Sequence, residues 1–160
     1  MACGSQALAL LNAAFDQNRQ VSQAFSAKIT ETGEAARRMN ELLSAQKYRM
    51  AGLEKRVFAG IAESYGNRGN VLHFEEGLSA DVVRELADAI ADKCGGTAAV
   101  FSGSDGGYAY CLIARQGDLR QLGRDMTAAL HGRGGGKPLC QQGRVQAAKE
   151  EIEAFFADRQ

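Results

Sequence analysis

The chain has 160 residues, of which 45% are hydrophobic and 24% charged, and its formal net charge is zero. These values are typical of a soluble globular protein that has one domain's worth of core and room for an attached helical arm. The apolar runs are far shorter than the roughly 20 residues of a membrane helix, and no basic and apolar signal segment opens the chain, so we expect a cytoplasmic protein with no membrane partner.

Two helices are predicted at the start of the chain. Residues 5–25 carry apolar side chains at roughly helical spacing, and residues 34–64 consist mainly of good helix formers that would span about 45 Å. In the second helix, Leu43, Met50 and Val57 stand seven residues apart and form a heptad-like apolar seam that needs a partner. We expect a helical hairpin, or coiled-coil arm, that also forms a homodimer. A hairpin within one chain only is the simpler alternative.

The clearest boundary lies at residues 65–70, where two glycines and two asparagines predict a turn or linker. We therefore divide the chain into a helical arm, residues 1–65, and a small domain, residues 70–160. In the domain the pattern predicts strand 71–75, helix 80–93, strand 97–102, strand 108–114, helix 119–130, strand 139–143 and helix 146–157. This βαββαβα order indicates an α/β (α+β-like) domain with a mixed sheet covered by helices.

The residues that most often carry metal or covalent chemistry lack the required spacing. The four cysteines are Cys3, Cys94, Cys111 and Cys140. They contain no Cys-x-x-Cys pair and are expected as reduced thiols. His73 and His131 have no cysteine or histidine at a local ligand spacing, and no nucleophile motif is present, so we predict no metal site, no cofactor and no catalytic residue.

The glycine run is the most unusual stretch of the sequence. Residues 132–138 read Gly-Arg-Gly-Gly-Gly-Lys-Pro and stand between a predicted helix and a predicted strand. Bare backbone N–H groups in such a run commonly approach an anion, although a plain flexible loop is the alternative. Residues 75–105 hold seven acidic and two basic residues, whereas residues 115–149 hold seven basic and two acidic residues. This gradient favours a polyanionic partner at the run.

Basic side chains around the run complete a candidate phosphate site. Backbone N–H groups together with arginine and lysine can bind phosphate without any catalytic group. The predicted nucleic-acid-binding or phosphate-binding residues are His131, Arg133, Gly134, Gly135, Gly136, Lys137 and Arg144. The run is not a P-loop, because it lacks the Gly-Lys-Ser/Thr ending. It is not a dinucleotide-binding fingerprint either, because it follows a helix and precedes a strand.

The run and the Leu-Cys-Gln-Gln-Gly that follows at residues 139–143 resemble the signature of the DHH-associated domain. That domain ends alanyl-tRNA synthetases and long-form alanyl-tRNA editing proteins, and it also follows the catalytic part of DHH-type phosphoesterases. Residues 71–160 match its order of elements throughout. Residues 3–8 resemble the entry to the helical linker of the editing proteins, and residues 5–64 resemble the linker itself.

This resemblance implies a function in the binding and editing of tRNA. In the editing proteins the terminal domain binds tRNA, here expected to be alanine tRNA, and helps to dimerise, while a separate domain hydrolyses mischarged tRNA. The His-x-x-x-His and Cys-x-x-x-His motifs of that editing domain are not in the sequence, so we expect a C-terminal part that binds without catalysing. Two alternatives stay open: the substrate-gripping domain of a DHH phosphoesterase acting on oligonucleotides or nucleotides, and a pure oligomerisation module.

Overall fold

The structure is a computed structural model that describes residues 2–157, with side chains from residue 4 onward. Helix α1 (Ala2–Ala24) is followed by a short 3₁₀ turn and by helix α2 (Thr32–Ser64). Both predicted helices are therefore present. Contacts within the chain divide it into two units after Leu53, inside α2, whereas the sequence places the boundary at residues 65–70, where α2 ends.

The arm leaves its apolar side chains in contact with solvent. Leu8, Leu11, Leu43, Met50 and Val57 are between 47% and 68% exposed. The sequence predicts that the two helices of the arm pack along each other, but in the described part of the arm these side chains are not buried by such packing. None of the described helices combines the length and the apolar character that crossing a membrane requires.

The remainder of the chain forms the predicted mixed sheet with helices. Its elements are β1 (Gly69–Glu75), α3 (Ala80–Cys94), β2 (Gly95–Ser104), β3 (Gly107–Ala114), α4 (Arg120–Ala129), β4 (Arg133–Lys137), β5 (Cys140–Val145) and α5 (Lys149–Ala157). The strand order is β1-β2-β3-β5-β4. Strands β1 and β2 are parallel and flank α3 in sequence, and the other neighbouring strands are antiparallel. The α/β class is confirmed.

One element differs from the prediction. The glycine run, expected as a loop, is strand β4, so the order is βαββαββα and the sheet has five strands. Glycine has a low preference for strands, and the run forms one because β5 provides a full ladder of backbone partners from Arg133↔Arg144 to Lys137↔Cys140. The strand is thus imposed by pairing and not by local preference.

The turns that fix the rest of the sheet follow local chemistry. Helix α3 ends at Gly95, whose φ of 76° is the left-handed conformation that glycine adopts without strain. The β2–β3 hairpin turns at Asp105 and Gly106, an Asp-Gly pair typical of tight hairpins. Helix α4 begins next to Asp118, whose Oδ1 accepts a hydrogen bond of 2.9 Å from the Arg120 N–H group.

The two faces of the sheet bury separate cores. Residues Phe58 and Ala62 of α2 and the apolar side of α3 pack on one face, while α4 and α5 pack on the other, where Met126, Ile152 and Phe101 are fully buried. Successive residues of a strand point to opposite faces, which accounts for the separation. Helix α3 lies mainly against β2 and β3. On the sheet face that α3 covers, the part formed by β4 and the outer side of β5 is therefore left open.

Candidate nucleic-acid interface

The glycine run lies at the edge of the sheet. Strand β4 pairs only with β5, and all five of its residues are exposed. An edge strand leaves one row of backbone N–H and C=O groups without ladder partners. Some N–H groups of the run are therefore committed to β5, while those on the outer side are available to an anion.

The glycines of β4 and β5 differ in whether close packing requires a residue without a side chain. A Cβ atom added at Gly134 would lie 2.1 Å from the Tyr110 hydroxyl oxygen, and one at Gly136 would lie 2.2 Å from the Cys140 carbonyl oxygen. On β5, a Cβ at Gly143 would lie 2.1 Å from the carbonyl oxygen of Arg133. At Gly135 an added Cβ meets nothing within 4 Å. Close packing therefore requires glycine at 134, 136 and 143, and Gly135 alone is bare without a packing reason.

The register of the ladder gathers three of the predicted site residues. Arg133 stands directly opposite Arg144, and Lys137 ends the same strand opposite Cys140. Because side chains alternate along a strand, positions 133, 135 and 137 share a face with 140, 142 and 144. This is the face on which α3 lies, at the part that α3 leaves open. Two arginines in direct register repel each other unless an anion lies between them.

Most other basic side chains of residues 115–149 are engaged. The ion pairs are Arg115 with Asp88 and Asp92 at 2.9 and 2.5 Å, Arg120 with Asp118 at 2.6 Å, and Lys149 with Glu153 at 3.8 Å. The hydrogen bonds from Arg120 hold the pKa of Asp118 at about 2. Within the described residues, no carboxylate forms an ion pair with Arg133, Lys137 or Arg144. Arg124 donates a hydrogen bond to the neutral Gln121 side chain, and the other three described basic side chains of the segment without an ion pair lie on β4 and β5.

His131 is separate from this group. It is exposed, it follows the end of α4, and it has a left-handed φ of 50°, a conformation in which histidine is more frequent than most side chains. The β4–β5 ladder begins two residues later, at Arg133. The structure therefore places His131 in the turn before the strand and outside the paired face.

Two residues of the site were missed by sequence reasoning. Gln142 is exposed and stands opposite Gly135, between Arg144 and Cys140 on the open face. Its neighbour Gln141 is buried, and its side-chain amide donates a hydrogen bond of 2.6 Å to the Lys137 carbonyl. Strand alternation in Gln141-Gln142-Gly143 could have separated the inward from the outward glutamine, but the sequence interpretation treated these residues only as part of a signature.

Tyr110 is the second missed residue. Its ring is buried beneath β5 and β4, and burial raises the pKa of its hydroxyl. Within the described residues this hydroxyl has no hydrogen-bond partner. The phenol occupies the space that a side chain at 134 would otherwise take, and Tyr110, Gly143 and Gly134 lie in one cross-strand row.

The other candidate chemistry of the sequence is structural in this fold. His73 is half-buried, with Nδ1 3.1 Å from the Tyr65 hydroxyl and Nε2 3.4 Å from a Glu75 carboxylate oxygen. Among the residues described, no three histidine, cysteine, aspartate or glutamate side chains are grouped so that they could hold a metal ion. The basic face at β4 and β5 is therefore the site to which the geometry points.

Comparison with known proteins identifies the domain family of this chain. The sequence model of the DHHA1 domain matches residues 67–158, which is more than half of the chain. No curated protein matches the chain. Among solved structures, the C-Ala domain of alanyl-tRNA synthetase from Aquifex aeolicus is similar at 19% identity and a TM-score of 0.44, over 52% of this chain and 85% of that one. On the match to the domain model, the chain belongs to the DHHA1 domain family.

Proposed function

We propose that this chain is a nucleic-acid-binding accessory domain that binds the phosphate backbone at β4 and β5. One observation carries the proposal: Arg133, Lys137 and Arg144 are exposed and have no acidic partner among the described residues. By contrast, Arg115, Arg120 and Lys149 of the same segment form ion pairs. Unneutralised basic side chains on an open surface attract polyanions. Phosphate contacts of this kind give affinity and position without reading sequence.

The spacing of the basic groups suits an extended backbone. A phosphate between Arg133 and Arg144 would receive hydrogen bonds from two guanidinium groups and would relieve their repulsion. Lys137 lies four residues further along β4, about 13 Å away at the rise of a strand. We infer that it contacts a different phosphate of the same strand. Gly135, between the two ends, lets a ligand approach the backbone closely.

The partner we propose is tRNA, and alanine tRNA in particular. Two features support it: the glycine signature with its Gln-Gly continuation resembles that of alanyl-tRNA editing proteins, and two helices precede the domain as in their linker. In this proposal, a separate domain hydrolyses mischarged tRNA, and the present chain binds the tRNA. The alternative is that the same surface binds short oligonucleotides as the accessory domain of a DHH phosphoesterase, and the test must distinguish the two ligands.

Binding measured at several salt concentrations tests both proposals. The ligands are an alanine tRNA transcript and a short single-stranded RNA. Replacement of Arg133 and Lys137 by alanine should weaken tRNA binding and lower the slope of log K against log salt by about two, because each lost phosphate contact removes about one. The matched control replaces Arg120 and Arg124, which changes the net charge equally on α4, a helix that packs on the opposite face of the sheet. Unchanged tRNA affinity in the first variant contradicts the phosphate role, and tighter binding of the short RNA than of tRNA favours the phosphoesterase alternative.

We also propose that the arm forms a homodimer along α2. The seam residues Leu43 and Met50 are 47% and 60% exposed, and apolar residues at heptad spacing are buried efficiently by a second helix of the same kind. Replacing both with aspartate should convert a dimer to a monomer in light scattering. Tyr48→Asp is the matched control, because Tyr48 is 85% exposed and lies off the seam. A parent chain that is monomeric at micromolar concentration contradicts the proposal.

A further inference from the structure

Two cysteines form a close thiol pair that phosphate binding does not use. Cys111 lies in β3 and Cys140 begins β5, and their Sγ atoms are 4.0 Å apart. Cys140 stands opposite Ile113 in the ladder, so Cys111 is its diagonal neighbour on the same face of the sheet. Cys94 is different: it is buried in α3, and its sulfur accepts a hydrogen bond of 3.4 Å from the Gly96 N–H group.

An open groove gives solvent access to one member of the pair. The groove has a volume of about 680 Å³ and lies between α3 and the beginning of β5, where Arg84, Asp88, Leu139 and Cys140 contribute to its walls. Cys140 is half-buried and lines the groove, whereas Cys111 is buried behind it, with 1% of its surface exposed. A small reagent in the groove therefore meets Cys140 first.

The surroundings give the two sulfurs different roles. Burial, reinforced by the neighbouring Cys140, raises the pKa of the Cys111 thiol to about 12, and the Arg84 charge only partly opposes this. Cys111 is therefore a protonated thiol at neutral pH and a weak nucleophile towards reagents from solvent. Cys140 is the sulfur that a solvent-borne oxidant can reach.

We propose that Cys140 is an oxidation site that reacts with a hydroperoxide and that Cys111 then closes a reversible disulfide with it. The Cys140 sulfur attacks the peroxide, the O–O bond breaks, and a sulfenic acid forms with release of water or an alcohol that takes up the thiol proton. The Cys111 sulfur then attacks the Cys140 sulfur. The S–S bond forms as the S–O bond breaks, and the hydroxide leaves with the Cys111 proton as water. A dithiol reductant returns both thiols.

The geometry needs a limited movement. The sulfur atoms must close from 4.0 Å to about 2.05 Å, and a diagonal pair must also bring its Cα atoms closer. Cys140 is the first residue of β5 and follows the exposed pair Pro138 and Leu139 that turns β4 into β5. The site also adjoins the proposed phosphate contact, because Lys137 is the ladder partner of Cys140.

Mass spectrometry of the folded full chain tests this proposal. The chain carries Cys3→Ser, so that links between chains do not arise from the N-terminus, and it is treated with hydrogen peroxide and then alkylated. We expect a mass lower by two hydrogen atoms before alkylation, one alkyl group taken up under denaturing conditions instead of three, peptides containing 111 and 140 linked to each other, and full reversal by dithiothreitol.

Three single variants assign the roles of the sulfurs. Cys140→Ser should abolish the link, Cys111→Ser should leave a sulfenic acid at 140 that a dimedone reagent traps, and Cys94→Ser should change nothing. Complete alkylation of both thiols after peroxide treatment overturns the proposal, and so does a link that involves Cys94. Because peptide mapping of the Cys3→Ser chain is decisive, the test holds even if one of the other variants fails to fold.

Discussion

The two edge strands of the sheet are held in place in different ways. In β1, side chains are engaged on both faces: the Phe74 ring stacks with Phe101 at 5.5 Å between centroids, and His73 bonds to Tyr65. Strand β4 has three glycines, and all five of its residues are exposed. It is held by its backbone ladder and by the Tyr110 ring beneath it. The difference teaches that β1 belongs to the core, whereas the open face of β4, which carries Arg133, Gly135 and Lys137, is free for a partner.

The largest effect is expected where the backbone fit of β4 is broken. Gly143→Ala places a methyl group 2.1 Å from the Arg133 carbonyl oxygen and 2.6 Å from the Gly134 Cα atom. Neither atom is a side chain that can rotate away, so we expect a loss of about 3 kcal/mol in unfolding free energy, or local detachment of β4. Denaturant unfolding gives the first quantity, and hydrogen exchange of the β4 amides reveals the second.

The control for this change lies in the same sheet. Gly107→Ala adds a methyl group that meets nothing within 4 Å at the start of β3, so its unfolding free energy should stay within about 0.5 kcal/mol of the parent. Equal stability of the two variants, with equal protection of β4, would show that β4 is not held by close backbone packing.

A smaller effect sharpens the role of the ring beneath β4. Tyr110→Phe removes a buried hydroxyl that has no hydrogen-bond partner within the described residues, so the unfolding free energy should rise by about 1 kcal/mol. Tyr108→Phe is the matched change: the Tyr108 hydroxyl donates a hydrogen bond of 3.1 Å to Asp105, and its loss should lower stability by a similar amount. Thermal unfolding of both variants checks the opposite signs. Destabilisation by Tyr110→Phe would mean that the hydroxyl has a partner.

Much of the domain could be predicted because its signals are local. The Gly95 stop of α3 and the Asp-Gly turn after β2 act over a few residues, and the predicted ends of α3, β2 and β3 lie within two residues of the observed ends. Strand β4 could not be predicted in this way. Its glycines disfavour a strand, and only pairing with β5 and the position of Tyr110, more than twenty residues earlier in the chain, make it one.

The site was predictable in composition and not in arrangement. The sequence identified Arg133, Lys137 and Arg144 as neighbours of the glycines, but the cross-strand pairing of Arg133 with Arg144 depends on the register. The ion pairs of Arg115 with residues of α3 depend on tertiary contacts. Anion binding by all three glycines stays a prediction, and the structure adds that close packing requires glycine at 134 and 136, whereas an added Cβ at Gly135 has open space.

The affinity of Gly135→Ala for alanine tRNA tests the central claim most directly. The new methyl group has open space and the backbone needs no left-handed conformation, so stability should stay within about 0.5 kcal/mol. On the open face, however, the methyl group would keep a phosphate away from the backbone between Arg133 and Lys137. We predict a loss of affinity of about tenfold, equivalent to about 1.4 kcal/mol, with Gly107→Ala binding like the parent. Parental affinity in a stably folded Gly135→Ala chain would contradict the claim that the glycine strand binds phosphate.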